Sequence, residues 1–137
     1  MATLKLNFGV VSTDEHIQEA PDTWTGRMSK EKFGDDIPHL GEIGDGTEQW
    51  FILGSPRGER IASGGVAVTP KLQVPHRWED VPKNTYVPAE RLKAMDEDQV
   101  DTHTFFPDIA GFGNAGFQKE GSEEFRLAAI QAYNDWL

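Results

Sequence analysis

An acid and an imidazole two residues apart, Asp14 and His16, follow the apolar run Phe8-Gly9-Val10-Val11. Side chains at alternate positions of a strand point to the same side, so a strand through these residues sets a carboxylate beside an imidazole. Oxygen and nitrogen donors suit Zn²⁺ or a harder divalent cation, and with no cysteine in the chain any transition metal must be held by such donors. Two protein ligands are half a site, because catalytic zinc usually has three and an open position. The spacing recurs at Asp101-Thr102-His103, and across strands about 4.8 Å apart the two pairs could form a four-donor cluster. Parallel strand order argues against it, since Asp101 then sits at the entry end of its strand and Asp14 with His16 at the exit end of theirs. The plainer readings are a polar strand-end pair that caps a helix or bonds a loop, and a strand-opening Asp101 with His103 packed under a hairpin.

Other chemistry-bearing residues carry less. His39 and His76 each follow a proline and read as solvated loop imidazoles. Gly111-x-Gly113-x-x-Gly116 has the spacing of a dinucleotide fingerprint, but a spacing match alone is weak and loop flexibility is preferred. Trp24, Trp50, Trp78 and Trp136 could be substrate platforms, although tryptophans more often fill core or interface space.

The elements that must position these groups can be read coarsely. Leu4, Leu6, Phe8 and Val10 alternate with Lys5, Asn7 and Gly9, which predicts a first strand over 4–13 ending near Ser12-Thr13. Asp22-Thr23-Trp24 leads into a short turn or helix at 29–33. An inserted β-hairpin region spans 37–68, with Gln49–Leu53 as one strand, a turn at 54–58 and a return at 60–63. The segment 69–87, spaced by Pro70, Pro75 and Pro82, looks extended. Pro88 suits the first position of a helix over 89–98, with Leu92 and Met95 on one side. Thr102, Thr104, Phe105 and Phe106 favour a second strand over 100–107, closed by Pro107. Ser122 caps a helix over 122–137, with Glu123 and Glu124 at the positive end of its dipole. Strand, helix, strand, helix is the opening of an α/β architecture with parallel strands.

Composition narrows the function classes. A net charge of −10 repels nucleic-acid phosphates and anionic lipid, so neither nucleic acid nor membrane is an expected partner. No apolar run reaches about 18 residues and the N-terminus lacks a signal-peptide pattern, so the default expectation is a soluble, cytoplasmic protein. Apolar residues are 37% of the chain, below the common ~45–50%, and 14 Gly with 8 Pro point to many turns or to surface awaiting a partner.

The stretch from Val10 through Asp14, His16, Glu19, Pro21 and Asp22 to Trp24 resembles the opening of the amidohydrolase-related metal-dependent hydrolases, the group that includes aminocarboxymuconate semialdehyde decarboxylase. The likeness continues at Arg77–Val81, Pro88–Asp98, Val100-Asp101, Pro107 and Ala132–Leu137, in order along nearly the whole chain. It implies an incomplete N-terminal portion of a (β/α)₈ TIM-like barrel carrying an inserted β-hairpin, with Asp14 and His16 as first-strand ligands of a divalent ion, zinc first and manganese second. The family's further ligands and its catalytic acid come from later strands. The implied activity is hydrolysis or nonhydrolytic decarboxylation of a small carboxylated, aromatic or cyclic substrate, with this chain alone expected to be inactive. A second chain completing the barrel, or a homo-oligomer, is the implied partner. The alternative is a noncatalytic truncated module that self-associates or pairs with another chain.

Overall fold

The computed structural model describes residues 9–57, 61, 75–110, 117 and 119–137. Strand β1, Val11–Ile17, pairs in parallel with β5, Thr102–Pro107, from Val11 opposite Thr102 to Ile17 opposite Pro107. Parallel partners need a crossover, and most of the chain between them provides it. Of the strand expected over 4–13, positions 4–8 lie outside the described residues. The strand also continues through Glu15, His16 and Ile17, because β5 offers partners there that no local pattern announces.

The ladder is irregular at one point. Ser12 lies opposite His103 and Glu15 opposite Phe105, so β1 has one residue more than β5 across this step. This is a β-bulge, and side chains beyond it change sides relative to an uninterrupted strand.

The inserted region is a three-stranded antiparallel meander: β2, His39–Glu42, β3, Glu48–Ile52, and β4, Ser55–Arg57. The return strand thus begins at Ser55, correcting the expected turn at 54–58; of 60–63, only Ile61 is described. Leu53 and Gly54 form a two-residue turn with φ of +53° and +68°, the primed geometry that matches the strand twist of a hairpin. Glycine takes such angles freely; leucine does so here with its N–H donating to Asp36 O at 3.0 Å. His39 is in β2, not in a loop.

Four helices complete the described elements: α1, Asp22–Thr25, α2, Lys30–Phe33, α3, Pro88–Asp98, and α4, Glu123–Trp136. Pro88 opens α3, where its missing N–H costs nothing. Ser122 Oγ accepts from Phe125 N at 3.1 Å, satisfying a donor at the start of α4. The described part of the Pro-spaced segment folds into short 3₁₀ turns at Trp78–Asp80 and Lys83–Thr85.

The core lies between α1, the meander and α4. Trp24 is fully buried, with its ring edge-on to Trp50 (centroids 5.5 Å, 89°) and to Phe117 (5.6 Å). Both buried indoles have partners: Trp24 Nε1 donates to Ala129 O at 3.1 Å and Trp50 Nε1 to Ile61 O at 2.9 Å. The use of these two tryptophans as substrate platforms is therefore overturned. Gly121, at φ +71°, admits the Phe125 ring and Leu53, since a Cβ there would stand 2.8 Å from Phe125 Cδ1. Replacing Trp24 by Ala is expected to cost about 3–5 kcal/mol, and Ser122→Ala about 1 kcal/mol, both read as shifts in the urea midpoint.

Candidate functional site

The side of the β1–β5 pair facing α3 is marked by its contacts. Ser12 Oγ donates to Glu15 Oε1 at 2.7 Å, and Arg91 of α3 reaches Glu15 Oε2 at 3.3 Å. The Arg91 guanidinium also stands 5.3 Å from the centre of the Phe105 ring. Ser12, Glu15, His103 and Phe105 therefore share this side. His16, one residue on from Glu15, falls on the opposite side beside its register partner Phe106, with ring centroids 6.4 Å apart. Asp14 falls within the irregular step between Ser12 and Glu15, so period-two counting does not fix its side. His16 is turned away from α3, toward the carboxyl end of the pair. Asp14 is exposed and His16 half-buried.

The second Asp-x-His pair does not join them. Asp101 lies before β5, where its Oδ2 accepts from Val10 N at 2.8 Å. His103 is on the α3 side, 8% exposed, with Nε2 3.9 Å from Glu15 Oε1, not under the meander. Among the described residues no group of three or more His, Asp and Glu side chains could hold one ion. The four-donor cluster is therefore not formed. His39 stacks on Phe51 (centroids 5.5 Å, 12°) with Nδ1 2.7 Å from Ile37 O, and His76 is exposed. The glycine-rich spacing at 111–116 lies outside the described residues.

A group that the sequence reading left aside sits at the centre of the loops after the paired strands. Glu19 is fully buried. Its carboxylate accepts from three consecutive backbone N–H groups that follow β5: Asp108 at 3.2 Å, Ile109 at 3.0 Å and Ala110 at 2.9 Å. Burial pushes its pKa up to about 7 against the downward pull of the backbone donors, and the Asp108 charge adds to the rise. Burial, with a smaller contribution from Glu19, pushes the Tyr133 phenol up to about 12. The buried side-chain atoms of Gln18 and Thr23 Oγ1 have no hydrogen-bond partner among the described residues. The sequence signal for Glu19 was weak but present: an acid between a strand and Ala20-Pro21, where a solvated loop has no need of one.

A cleft of about 540 Å³ opens on the α3 side, walled by Ile17, Tyr86, Leu92, Met95, Phe105 and Trp136. It lies across the pair from His16, so its mostly apolar wall is not next to that imidazole.

With the geometry in view, comparison with known proteins narrows the reading. No family model matches the chain, and no curated protein matches it by sequence. A solved structure does. The crystal structure of an amidohydrolase from Mycobacterium avium subsp. paratuberculosis K-10 superposes with a TM-score of 0.68 over 97% of this chain, at 21% identity. The chain has the fold of one part of an amidohydrolase. It spans 38% of that protein's length. The likeness covers a mixed α/β arrangement with a parallel pair and an antiparallel sheet, and the described strands close no barrel. No helix among the described residues is long and apolar enough to cross a membrane.

The Glu19 carboxyl yields a pH dependence whose sign follows from its raised pKa. The folded state holds the proton more tightly than the unfolded chain, so this contribution to stability is fully present below about pH 4.5 and is lost as pH rises through about 7. The expected span is about 3 kcal/mol. Urea melts from pH 4.5 to 7.5 should show wild type losing stability relative to Glu19→Gln across this window, with Asp108 and Tyr133 the neighbouring titratable groups; parallel curves would remove the assignment.

Proposed function

We propose that the chain is the N-terminal part of an amidohydrolase-type barrel in which Asp14 and His16 are two ligands of a divalent ion, zinc first by the donor set and manganese second. The observation that supports this reading is the position of His16. It lies on the side of the parallel pair away from the covering helix α3 and toward the carboxyl end, where barrel enzymes carry their chemistry, and Asp14 stands two residues before it. A carboxylate and an imidazole fit two positions of such a site, and the remaining donors would come from further strands, in the same or a second polypeptide.

A bound divalent ion would lower the pKa of a coordinated water toward neutral or hold a substrate carboxylate. The substrate class is a small carboxylated compound, aromatic or cyclic, processed by hydrolysis or nonhydrolytic decarboxylation. Within this chain Asp14 and His16 bind. Glu19 pins the backbone after β5 to the loop after β1. With two ligands supplied here, turnover belongs to the completed site.

A second reading draws on Leu92 and Leu137, 60% and 65% exposed where they line the α3-side cleft. An apolar rim of this kind suits a noncatalytic module that pairs with another chain or with itself.

Equilibrium dialysis against zinc, with metal quantified by mass spectrometry, tests the first reading. With two of the ligands present, wild type should take up zinc weakly but measurably, and Asp14→Asn and His16→Ala should each weaken binding by about tenfold or more. Uptake unchanged in both variants would refute the donor assignment, and metal-free dimers in sedimentation would favour the second reading.

A further inference from the structure

We infer that Ser12, Glu15 and Arg91 form a clamp on the bulge of β1 that aims His16 away from α3, which makes them positioning residues for the proposed metal site. The inference rests on the proposed metal-binding reading, but its geometry does not. In an uninterrupted strand Ser12, Asp14 and His16 would share one side, that of His103 and α3. The additional residue between Ser12 and Glu15 inverts this arrangement: Glu15 joins Ser12, and His16 passes to the other side.

An inserted residue leaves ladder groups unpaired and bends the strand, so an extra hydrogen-bonding framework is required to keep it in one place. The chain supplies three linked contacts. Ser12 Oγ bridges the bulge to Glu15 Oε1 at 2.7 Å. Arg91 Nη1 donates to Glu15 Oε2 at 3.3 Å, and Arg91 Nη2 donates to the backbone carbonyl of His16 itself at 2.7 Å. A single planar guanidinium therefore holds the bulge carboxylate and the candidate ligand's own peptide in fixed relation, while its face packs on Phe105. The Arg91 side chain is 15% exposed, so these bonds are largely shielded from water and salt. A lysine offers one ammonium in place of this fork and cannot hold both acceptors in the same geometry.

The test separates aim from binding. In the metal-free wild-type chain the adjacent His16 and Phe106 rings should give NOEs between their ring protons. Arg91→Met and Glu15→Gln should lose most of that NOE with far-UV circular dichroism unchanged, and should weaken zinc binding by about 10–100-fold, with Arg91→Lys between them and wild type. If Arg91→Met fails to fold, Ser12→Ala, which removes a single hydroxyl, reads the same NOE. Wild-type NOEs in the folded variants would overturn the clamp whatever the zinc affinity. Lost NOEs in a protein whose wild type takes up no zinc would keep the clamp and remove the metal reading instead.

Discussion

One extra residue in β1 decides which of its side chains face α3 and which face away. Between Ser12 and Glu15 the strand advances three positions while β5 advances two, from His103 to Phe105. Everything after that step is inverted relative to the pattern before it. Glu15 turns toward α3 and becomes available to Arg91, while His16 turns to the other side with Phe106. The α3 side thus gains a shielded charge pair. A carboxylate on that side without Arg91 would carry an uncompensated desolvation cost, so bulge and ion pair depend on one another.

Just beyond the paired strands a second polar device takes over. Three successive N–H groups after β5 converge on Glu19, which leads directly into Pro21 and α1. Loops at the carboxyl end of a parallel pair have backbone donors with no strand partner, and a buried carboxylate satisfies several at once. The cost is desolvation of the charged form, visible in the raised pKa. Five residues after Glu19, Trp24 enters the aromatic core against Trp50 and Phe117 and bonds to Ala129 of α4. The strand pair, its loops and the inserted meander are in this way connected through short, directional contacts as well as apolar burial.

The meander and the strand pair make different demands on sequence. The meander closes on local turn geometry at Leu53-Gly54 and Asp45-Gly46 and packs against α4, with ion pairs Lys32–Glu124 and Arg57–Glu120 at its border. These pairs are substantially exposed and contribute little individually. The strand pair depends on partners some ninety positions apart, as in Val10 N to Asp101 Oδ2. That separation is why the parallel pair follows from element order only as a class of architecture, and why its register does not.

By itself the sequence determined the local elements and the identity of the two candidate donors. Pro88 at the head of α3, Ser122 capping α4, the β-branched and aromatic run ending at Pro107, and Asp14-x-His16 are all signals carried by neighbours within a few residues. Missed were β2, the start of β4 at Ser55 and the extension of β1 to Ile17, because each needs a strand partner to exist at all. Tertiary structure alone decided the side on which His16 lies, the separation of Asp101 and His103 from it, and the burial of Glu19. Period-two counting takes a strand to be uninterrupted, and only the contacts of Ser12, Glu15 and Arg91 across 76 positions of sequence reveal where that assumption breaks.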